Sequence, residues 1–268
     1  MYIPVVLPQQ LSITHVVTAF DEVRPKGYFF SGEMHDFWEM AYVMEGAITV
    51  TADDRVYTLS RGQMIFHQPM EFHSLRCAGG KPARVLVISF AALGEGMKPF
   101  CRRVMELDFD EEAQLLELVG ILNSFLANRL PAQGAHGRAL LEAFLWKLSD
   151  KPLHTVERHT AGDGKLYEQA MRVLNDHCRE ALSLSDIARL CKTSESSLKK
   201  TFTAYSHTGV MHCFNSIKIR LAARLLTQGF SAAQVSEQLS FSSPSYFHVV
   251  FRREMHCTPG QYVQKSRR

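Results

Sequence analysis

Residues 243–251 read Ser-Pro-Ser-Tyr-Phe-His-Val-Val-Phe, and this stretch decides how the C-terminal third of the chain folds. A serine followed by a proline is typical of the first positions of a helix. Phe247 and Phe251 are four residues apart and therefore lie on one face of that helix. The stretch predicts a helix that begins after Ser243 and packs inward through its two phenylalanines.

An earlier stretch repeats this pattern. Residues 194–202 read Ser-Glu-Ser-Ser-Leu-Lys-Lys-Thr-Phe, with Leu198 and Phe202 at the positions of the two phenylalanines. Each stretch follows a short predicted helix, which contains Ile187 in the first copy and Val235 in the second. A short helix, a tight turn and a second helix form a helix-turn-helix unit. The chain therefore contains two predicted copies of this unit, the second with a turn one residue longer.

The outward face of the second helix in each unit is predicted to contact DNA. With the apolar face packed inward, the opposite face is free to enter the major groove, which is wide enough for one helix. Lys199 and Lys200 carry donors for guanine or for phosphate oxygens, and the sequence does not separate these roles. The second copy is poorer in donors, since Val249 stands on its outward face, so we expect mainly backbone and thymine-methyl contacts there. The predicted DNA-contacting residues are Ser194, Ser196, Lys199, Lys200, Ser243, Ser245, His248 and Arg252.

The distribution of charge favours a polyanionic partner for the C-terminal third. Residues 165–268 hold 15 Lys and Arg against 7 Asp and Glu, whereas residues 1–164 hold 15 against 20. A basic end of this kind neutralises phosphates and releases their counterions. Charge alone does not decide the matter, because many ordinary domains differ by this much.

Composition argues against several other classes of protein. Apolar residues make up 46% of the 268 residues, enough for two domains with a core each. The longest apolar run is about half of what a membrane-spanning helix needs, and the first ten residues lack the basic start of a signal peptide. The six cysteines have no CxxC spacing and are predicted to be thiols of a reducing compartment. We therefore expect a cytoplasmic protein.

The N-terminal part changes from predicted strands to predicted helices. Short β-branched runs with turn residues between them occupy residues 13–90 and favour an antiparallel sandwich or barrel. Leucines at helical spacing predict helices over 111–127 and 139–148, with a breaker stretch over 131–137. These helices are expected to pair within the domain or against a second subunit. The predicted organisation is an α+β chain with a sensing and dimerisation domain over 1–150, a linker over 151–164 and a helical domain over 165–268.

The C-terminal third resembles the AraC/XylS family of bacterial transcription regulators. The residues that carry the resemblance are Phe241-Ser242-Ser243-Pro244-Ser245-Tyr246-Phe247, Phe251-Arg252-Arg253, Thr258-Pro259 and Tyr262, with Arg220-Leu221 and Ala223-Arg224-Leu225-Leu226 as a central helix. The chain departs from the family at Ser240 and His256, where glycine is usual, and at Val249 and Val263, where basic residues are common. The resemblance implies an all-α domain whose two helix-turn-helix units enter successive major-groove segments from one monomer.

Residues 15–90 resemble the cupin fold. His35-Asp36-Phe37-Trp38-Glu39, followed after six residues by Gly46, is similar to the first cupin motif, and Gly62 followed by Pro69 and His73 is similar to the second. The resemblance implies an N-terminal cupin-like antiparallel β-barrel with flanking helices, which binds an effector.

The cupin resemblance brings a set of polar side chains together. Cupin enzymes begin the first motif with His-x-His, and here those positions read Glu33-Met34-His35. His35, Glu39 and His73, with Glu33, offer imidazole and carboxylate groups that suit zinc, iron, nickel or manganese. Regulators of this kind commonly keep the fold without the metal, so we expect an effector pocket and no cofactor. Its predicted residues are His35, Trp38, Glu39 and His73, whereas His67 and Trp146 are expected to be structural.

These patterns predict a ligand-responsive, sequence-specific DNA-binding transcription regulator, not an enzyme. The expected partners are double-stranded promoter or operator DNA, a sugar or other polar metabolite as effector, RNA polymerase and a second copy of the chain. The alternative is a metal-dependent cupin enzyme with an accessory helical domain, which a tightly held metal with turnover would favour. A DNA-repair protein is a third reading, but none of the six cysteines lies in a recognisable reactive site. The sequence does not decide between activation and repression.

Overall fold

The computed structural model describes residues 10–101, 104–151 and 163–266. Strands fill the first part of the chain and helices the last, as predicted. Most of the predicted linker, residues 152–162, lies outside the described residues. Within the described ranges, no helix combines the length and the apolar character that crossing a membrane requires.

Two antiparallel sheets form the N-terminal part. Their strands are β1 (Ser12–Arg24), β2 (Phe29–Glu33), β3 (Trp38–Glu45), β4 (Ala47–Ala52), β5 (Arg55–Ser60), β6 (Gln63–His67), β7 (His73–Cys77), β8 (Ala83–Leu93) and β9 (Val104–Glu106). The first sheet has the order β1-β8-β3-β6-β9 and the second the order β2-β7-β4-β5. Apolar side chains from both sheets, among them Val43, Val85, Ile48 and Leu59, form one buried cluster. This arrangement confirms the predicted antiparallel β-fold.

Two helices, α1 (Phe109–Asn128) and α2 (Pro131–Ser149), pack on the first sheet. The predicted breaker over 131–137 is wrong, because these residues are the first turns of α2. Pro131 is the first residue of α2. A backbone N–H at this position has no partner within the helix, so the missing N–H of proline costs no hydrogen bond. Leu122 of α1 and Leu141 of α2 are buried in the same cluster, so the two helices pair within the chain.

Strand β3 divides its side chains between two environments. Trp38, Met40 and Tyr42 pack in the cluster that contains the leucines of α1, whereas Ala41 and Val43 pack against the second sheet. Successive side chains of a strand point to opposite faces. Glu39, between Trp38 and Met40, is therefore directed into the space between the sheets.

A 3-10 helix (Glu95–Phe100) follows β8 in the N-terminal part. Seven helices of the described residues form the C-terminal part: α3 (Asp163–Asp176), α4 (Leu184–Leu190), α5 (Glu195–Tyr205), α6 (Val210–Thr227), α7 (Ala232–Gln238), α8 (Pro244–Met255) and α9 (Pro259–Ser266). The predicted helix start at Ser243 and its repeat at Ser194 are confirmed, and two further helices also begin with a capping serine. The hydroxyls of Ser183, Ser194, Ser231 and Ser243 each accept a hydrogen bond from the backbone N–H three residues on.

Each helix-turn-helix unit has its own core, and α6 belongs to both. The first core joins α4 and α5 to the start of α6, and the second joins α7 and α8 to its end. Fully buried or nearly fully buried members are Ile187, Leu198, Phe202 and Phe214 in the first core, and Leu225, Val235, Phe247 and Phe251 in the second. The apolar residues that define the sequence repeat are therefore the residues that pin α5 and α8 in place.

Ser240 and His256 adopt left-handed backbone conformations, with φ of 50° and 53°. These are the two positions where the AraC/XylS family usually has glycine. The left-handed region costs a residue with a Cβ atom about 1–2 kcal/mol. The Oγ of Ser240 donates a hydrogen bond to the carbonyl of Arg179 at 2.7 Å, which offsets part of that cost.

Replacing His256 with glycine is expected to raise the free energy of unfolding above that of a His256→Ala variant by about 1 kcal/mol. Both substitutions remove the exposed imidazole, so the difference reports the left-handed backbone, reduced by the greater freedom of glycine in the unfolded chain. Urea denaturation of the two variants measures it. A His256→Gly variant less stable than the His256→Ala variant would show that the left-handed backbone at residue 256 carries no strain.

Candidate functional site

The first part of the site is the outward surface of α5. Ser196, Lys199 and Lys200 are exposed there, while Leu198 is fully buried. The Nζ of Lys199 lies 3.8 Å from a carboxylate oxygen of Glu195, a surface pair that contributes little and leaves the lysine available to a stronger partner. The predicted outward face of this helix is confirmed, and its contact with DNA remains a prediction.

The outward surface of α8 has the composition expected from the sequence. Ser245, His248 and Arg252 are exposed, and Val249 is 65% exposed among them. A valine this open to water offers an apolar contact and no hydrogen bond. The hydroxyls of Ser194 and Ser243 are engaged as helix caps, which places both serines at the N-terminal ends of the two surfaces.

The second part of the site is a cavity of about 250 Å³ between the two sheets. One end is polar and the other is largely apolar. The lining residues are Thr18, Phe20, Arg24, Tyr28, Phe30, Glu33, Phe37, Glu39, Ala41, His67, His73, Ser74, Leu75, Val85, Val87 and Ser89. A concave site with a few convergent polar groups on apolar walls is typical of a small-molecule site.

Four polar side chains form a cluster beside the polar end of this cavity; three of them line the cavity, and the fourth, His35, was predicted to line it but borders the neighbouring groove instead. Glu33 and His35 come from the end of β2 and the loop after it, Glu39 comes from β3, and His73 comes from β7. The Nε2 of His73 lies 3.5 Å from Glu39 Oε1, and the Nε2 of His35 lies 3.8 Å from Glu39 Oε2. Glu33 Oε1 lies 3.9 Å from the His35 ring and 4.0 Å from the His73 ring. The structure therefore brings together three of the four predicted effector residues, with Glu33 beside them.

The two imidazoles are oriented by the backbone. The Nδ1 of His35 lies 3.0 Å from the carbonyl oxygen of Phe37, and the Nδ1 of His73 lies 3.1 Å from that of Glu71. A carbonyl only accepts, so each Nδ1 carries a proton and donates it. Each Nε2 is buried and has no hydrogen-bond partner among the described residues. Both Nε2 atoms are thus directed at the carboxylates.

The charges of this cluster depend on burial and on the close pairs. Burial raises the pKa of Glu39, but the imidazoles of His35 and His73 outweigh it, so the pKa lies well below its usual value. Burial lowers the pKa of His73, but the Glu39 carboxylate outweighs it and raises the pKa to about 9. Burial and the neighbouring His73 lower the pKa of His67. At neutral pH the polar end therefore holds a carboxylate beside a charged imidazole.

Two residues lie elsewhere than the sequence predicts. Trp38 packs in the core beside α1 and does not line the cavity, because the alternation of β3 turns it to the opposite face from Glu39. Phe37, one residue earlier, lines the cavity instead and stacks on the His35 ring with centroids 3.7 Å apart. His67 lines the cavity as well, and its Nδ1 is bonded to Glu71 at 2.7 Å. No sequence motif includes His67, and only the register of β6 shows that it lines the cavity.

The far end of the cavity combines aromatic rings with one cation. The guanidinium of Arg24 lies 5.3 Å from the ring centroid of Phe20 and 4.6 Å from that of Tyr28. Its Nη1 also pairs with Glu22 at 2.6 Å. The cavity therefore offers carboxylates and imidazoles at one end and a ring-stacked guanidinium at the other.

Residues 29–37, which we call the docking segment, connect the cavity to both helix-turn-helix units. Phe30, Glu33 and Phe37 of this segment line the cavity. The backbone N–H of Gly32 donates to the carbonyl of Ser206 at 3.2 Å, directly after α5, and Met34 is buried in the core of the second unit. One short segment of the N-terminal part thus contacts the ends of two DNA-binding units.

The C-terminal ends of both candidate recognition helices lie at this interface. The Oγ of Ser74, a cavity residue, donates to the carbonyl of Tyr205 at 2.6 Å, and Arg76 donates to that of Ala204 at 3.1 Å. On the second unit, residues 33–37 share a groove with Glu254, at the end of α8, and its neighbours. The exposed N-terminal ends of α5 and α8 are left clear of these contacts.

An ion pair joins the N-terminal part to the central helix. The Nη1 of Arg220, on α6, lies 2.5 Å from both carboxylate oxygens of Asp53, and its Nη2 donates to Asn175 at 2.8 Å. The side chain of Asp53 is 7% exposed and that of Arg220 is 17% exposed. Burial raises the pKa of Asp53, although the guanidinium of Arg220 opposes this. The pair is therefore largely desolvated, and each member depends on the other.

Asp53→Ala and Arg220→Ala are each expected to lower the free energy of unfolding by about 3–5 kcal/mol, because each leaves a buried charge without its partner. The double variant is expected to lose less than the two single losses added together. Denaturant unfolding of all three variants completes the cycle. Arg84→Ala, which removes a more exposed pair with Asp21 inside the N-terminal part, is the control and is expected to cost about 1 kcal/mol or less. Strictly additive losses would show that Asp53 and Arg220 do not act as a pair.

Comparison with known proteins agrees with this two-part organisation. A helix-turn-helix domain model matches residues 187–265, and a cupin domain model matches residues 20–89. The chain is 22% identical over 265 residues to the HTH-type transcriptional activator RhaR of Klebsiella pneumoniae, covering 89% of each protein. It is 31% identical over 112 residues to the regulatory protein PocR of Salmonella typhimurium, which is 41% of this chain and 37% of that one.

Among solved structures, ToxT from Vibrio cholerae O395 is similar over 92% of this chain and 96% of its own, at 18% identity and a TM-score of 0.40. RhaR is named a transcriptional activator and PocR a regulatory protein. A helix-turn-helix domain thus follows a cupin domain in this chain, which is the organisation of an AraC-type transcription regulator with a cupin ligand-binding domain.

Proposed function

We propose that this regulator binds specific promoter or operator DNA through α5 and α8 and adjusts that binding to a small polar metabolite held in the cupin cavity. One observation carries the proposal: the cavity shares Ser74 and the docking segment with the interface that holds the ends of both helices. The proposed domains are 1–150 for sensing and 165–268 for DNA binding. We further propose that the protein acts in the cytoplasm as a homodimer and meets RNA polymerase at the promoter.

The DNA contact is proposed on the exposed residues at the N-terminal ends of α5 and α8. A recognition helix reads bases with its N-terminal residues, and these are the ends that lie clear of the cupin domain. Lys199 and Lys200 are the only two lysines on the exposed face of α5 within the described chain. We therefore expect the loss of either lysine to weaken DNA binding.

Lys199→Ala and Lys200→Ala are each expected to weaken DNA binding, by about 1–3 kcal/mol where the lysine contacts a base. Selection from random duplexes supplies the DNA, and gel-shift titration of the full chain measures the affinity. Lys98→Ala, which removes an exposed lysine of the N-terminal part, is the matched control and should leave affinity unchanged. A lysine that contacts only phosphate should also lower the salt dependence of binding by about one unit of slope. Wild-type affinity in both variants would remove α5 from the DNA interface.

The effector is proposed to be a sugar or similar polyhydroxylated metabolite, and the regulated genes to be metabolic. Hydroxyl groups donate hydrogen bonds to carboxylates such as Glu39 and Glu33, and the apolar face of a sugar ring packs on aromatic side chains such as Phe37. A thermal-shift screen of sugars, with aromatic acids for comparison, identifies the class that stabilises the protein. Stabilisation by aromatic acids and by no sugar would overturn the sugar assignment.

The dimer contact is proposed on the outward faces of α1 and α2. These helices pack within the chain through one face only, and they leave large apolar side chains open to water. Leu116 of α1 and Trp146 of α2 are each 37% exposed. Sedimentation of the full chain measures the oligomeric state directly.

The route from the cavity to DNA is proposed to pass through Ser74. The hydroxyl of Ser74 is 2.8 Å from that of Thr51 and 2.6 Å from the carbonyl of Tyr205, the last residue of α5. A ligand that moves β7 therefore changes the environment of the end of this helix. A shift of this kind requires the ligand to bind one arrangement better than the other.

Ser74→Ala is expected to speed amide hydrogen exchange at the C-terminal end of α5 by roughly tenfold, because a buried carbonyl loses its donor. Hydrogen exchange with mass spectrometry on the full chain measures this without any effector. Ser89→Ala is the matched control, since Ser89 is also a buried cavity serine but bonds Thr18 and Glu39 on the opposite sheet. The same exchange rate at the end of α5 in both variants would contradict the route.

A further inference from the structure

The cluster of Glu33, His35, Glu39 and His73 has the composition of a metal site. One donor atom from each of the four side chains lies within 4.8 Å of the other three. Two imidazole nitrogens and two carboxylates are ligands that zinc, iron, nickel and manganese accept. The cupin fold implies a metal at this place, so the question is whether these particular residues fit one.

The orientation of the two imidazoles fits a metal. Each Nδ1 is held by a backbone carbonyl, which is how proteins fix the ring of a metal-binding histidine. Each Nε2 is buried, points into the cluster and has no hydrogen-bond partner among the described residues. His73 is 3% exposed. A buried polar atom without a partner is costly, and a metal ion that displaces the Nε2 proton of His73 into solvent removes that cost.

The carboxylates fit as well. Glu39 Oε2 accepts a hydrogen bond from Ser89 Oγ at 2.8 Å, and Ser89 is bonded in turn to Thr18 at 2.7 Å. Glu39 is therefore held in place by groups outside the cluster, as metal-binding carboxylates usually are. Glu33, at the position of the first cupin histidine, is half-exposed and supplies a second negative charge. A divalent cation balances two carboxylates.

The four metal ligands come from two parts of the cupin domain, the sheets and the docking segment. Glu39 and His73 lie on β3 and β7 within the sheets, while Glu33 and His35 belong to the docking segment. Gly32 and Met34, the neighbours of Glu33, are the residues that contact the two helix-turn-helix units. An ion shared by these four side chains therefore ties the docking segment to the sheets at the point where it reaches the DNA-binding domain.

We propose that Glu33, His35, Glu39 and His73 bind one divalent transition-metal ion, and that this ion fixes the docking segment. The proposed function includes a polar metabolite but no metal ion, so this metal site goes beyond it. Its effect on DNA binding rests on that function, whereas metal binding itself does not. A set of side chains that only pair with one another, or that only bond an effector, is the competing arrangement.

Cobalt(II) titration of the full chain, prepared without a polyhistidine tag, tests the site. We expect one ion per chain, visible d–d absorption without a thiolate charge-transfer band, and displacement by zinc. The missing thiolate band distinguishes this site from binding by the six cysteines. Failure of cobalt, zinc, nickel and manganese to bind, or binding through thiolate, would overturn the proposal.

Variants assign the ion to these residues. His73→Gln is expected to abolish stoichiometric binding, and Glu33→Ala to weaken it by about tenfold or more. Glu33 is half-exposed, so this second variant keeps the test open if the buried one fails to fold. His177→Asn is the matched control, because His177 also pairs with a glutamate, Glu180 at 2.9 Å, but lies far along the chain on the surface. Unchanged affinity in both cluster variants would place the ion elsewhere and overturn the proposal.

Hydrogen exchange tests the structural role of the ion. Zinc is expected to slow exchange over residues 29–37 of the wild type and to leave the Glu33→Ala variant less protected. A bound ion that leaves this segment unchanged would overturn its role in fixing the docking segment. Gel-shift titration without added metal keeps the two proposals separate, because DNA binding that persists while no metal binds rejects the metal site and retains the regulator.

Discussion

The proposed function depends on how the C-terminal ends of α5 and α8 are held against one edge of the cupin domain. Gly32, Ser74 and Arg76 all bond to backbone carbonyls at the end of α5, and Met34 enters the core of the second unit. A recognition helix reads DNA with its N-terminal residues. Holding the other ends therefore leaves the proposed DNA-contacting residues open while one domain contacts both units.

The features that local sequence encodes could be predicted. Each capping serine is bonded to a backbone N–H only three residues away, so the start of each helix depends on neighbours in the sequence. The apolar spacing of Leu198 with Phe202 identifies the buried face of α5 for the same reason. The family resemblance even marks the strained positions, since Ser240 and His256 stand where glycine is usual and both are left-handed.

The features that depend on register or on distant contacts could not be predicted. A shift of one residue along a strand reverses every side chain, which is why Phe37 lines the cavity while Trp38 packs in the core. Asp53 and Arg220 are 167 residues apart in sequence, and no sequence pattern near either residue predicts that they pair. The sequence predicts only a structural role for His67, because no motif includes it, but β6 directs its side chain into the cavity.

The hydrogen bonds between the cupin domain and the end of α5 suit a switch, and Val56, Phe72 and Met34 add apolar contacts to the same interface. Each hydrogen bond there contributes about 1 kcal/mol net, and reversing a two-state equilibrium from 1:99 to 99:1 needs about 5.5 kcal/mol of differential binding. A few contacts such as those of Ser74, Arg76 and Gly32 are of this order, so a ligand that binds beside them is able to outweigh them. In the proposed mechanism, the few hydrogen bonds at the end of α5 position the helix and are weak enough for a ligand in the cavity to change.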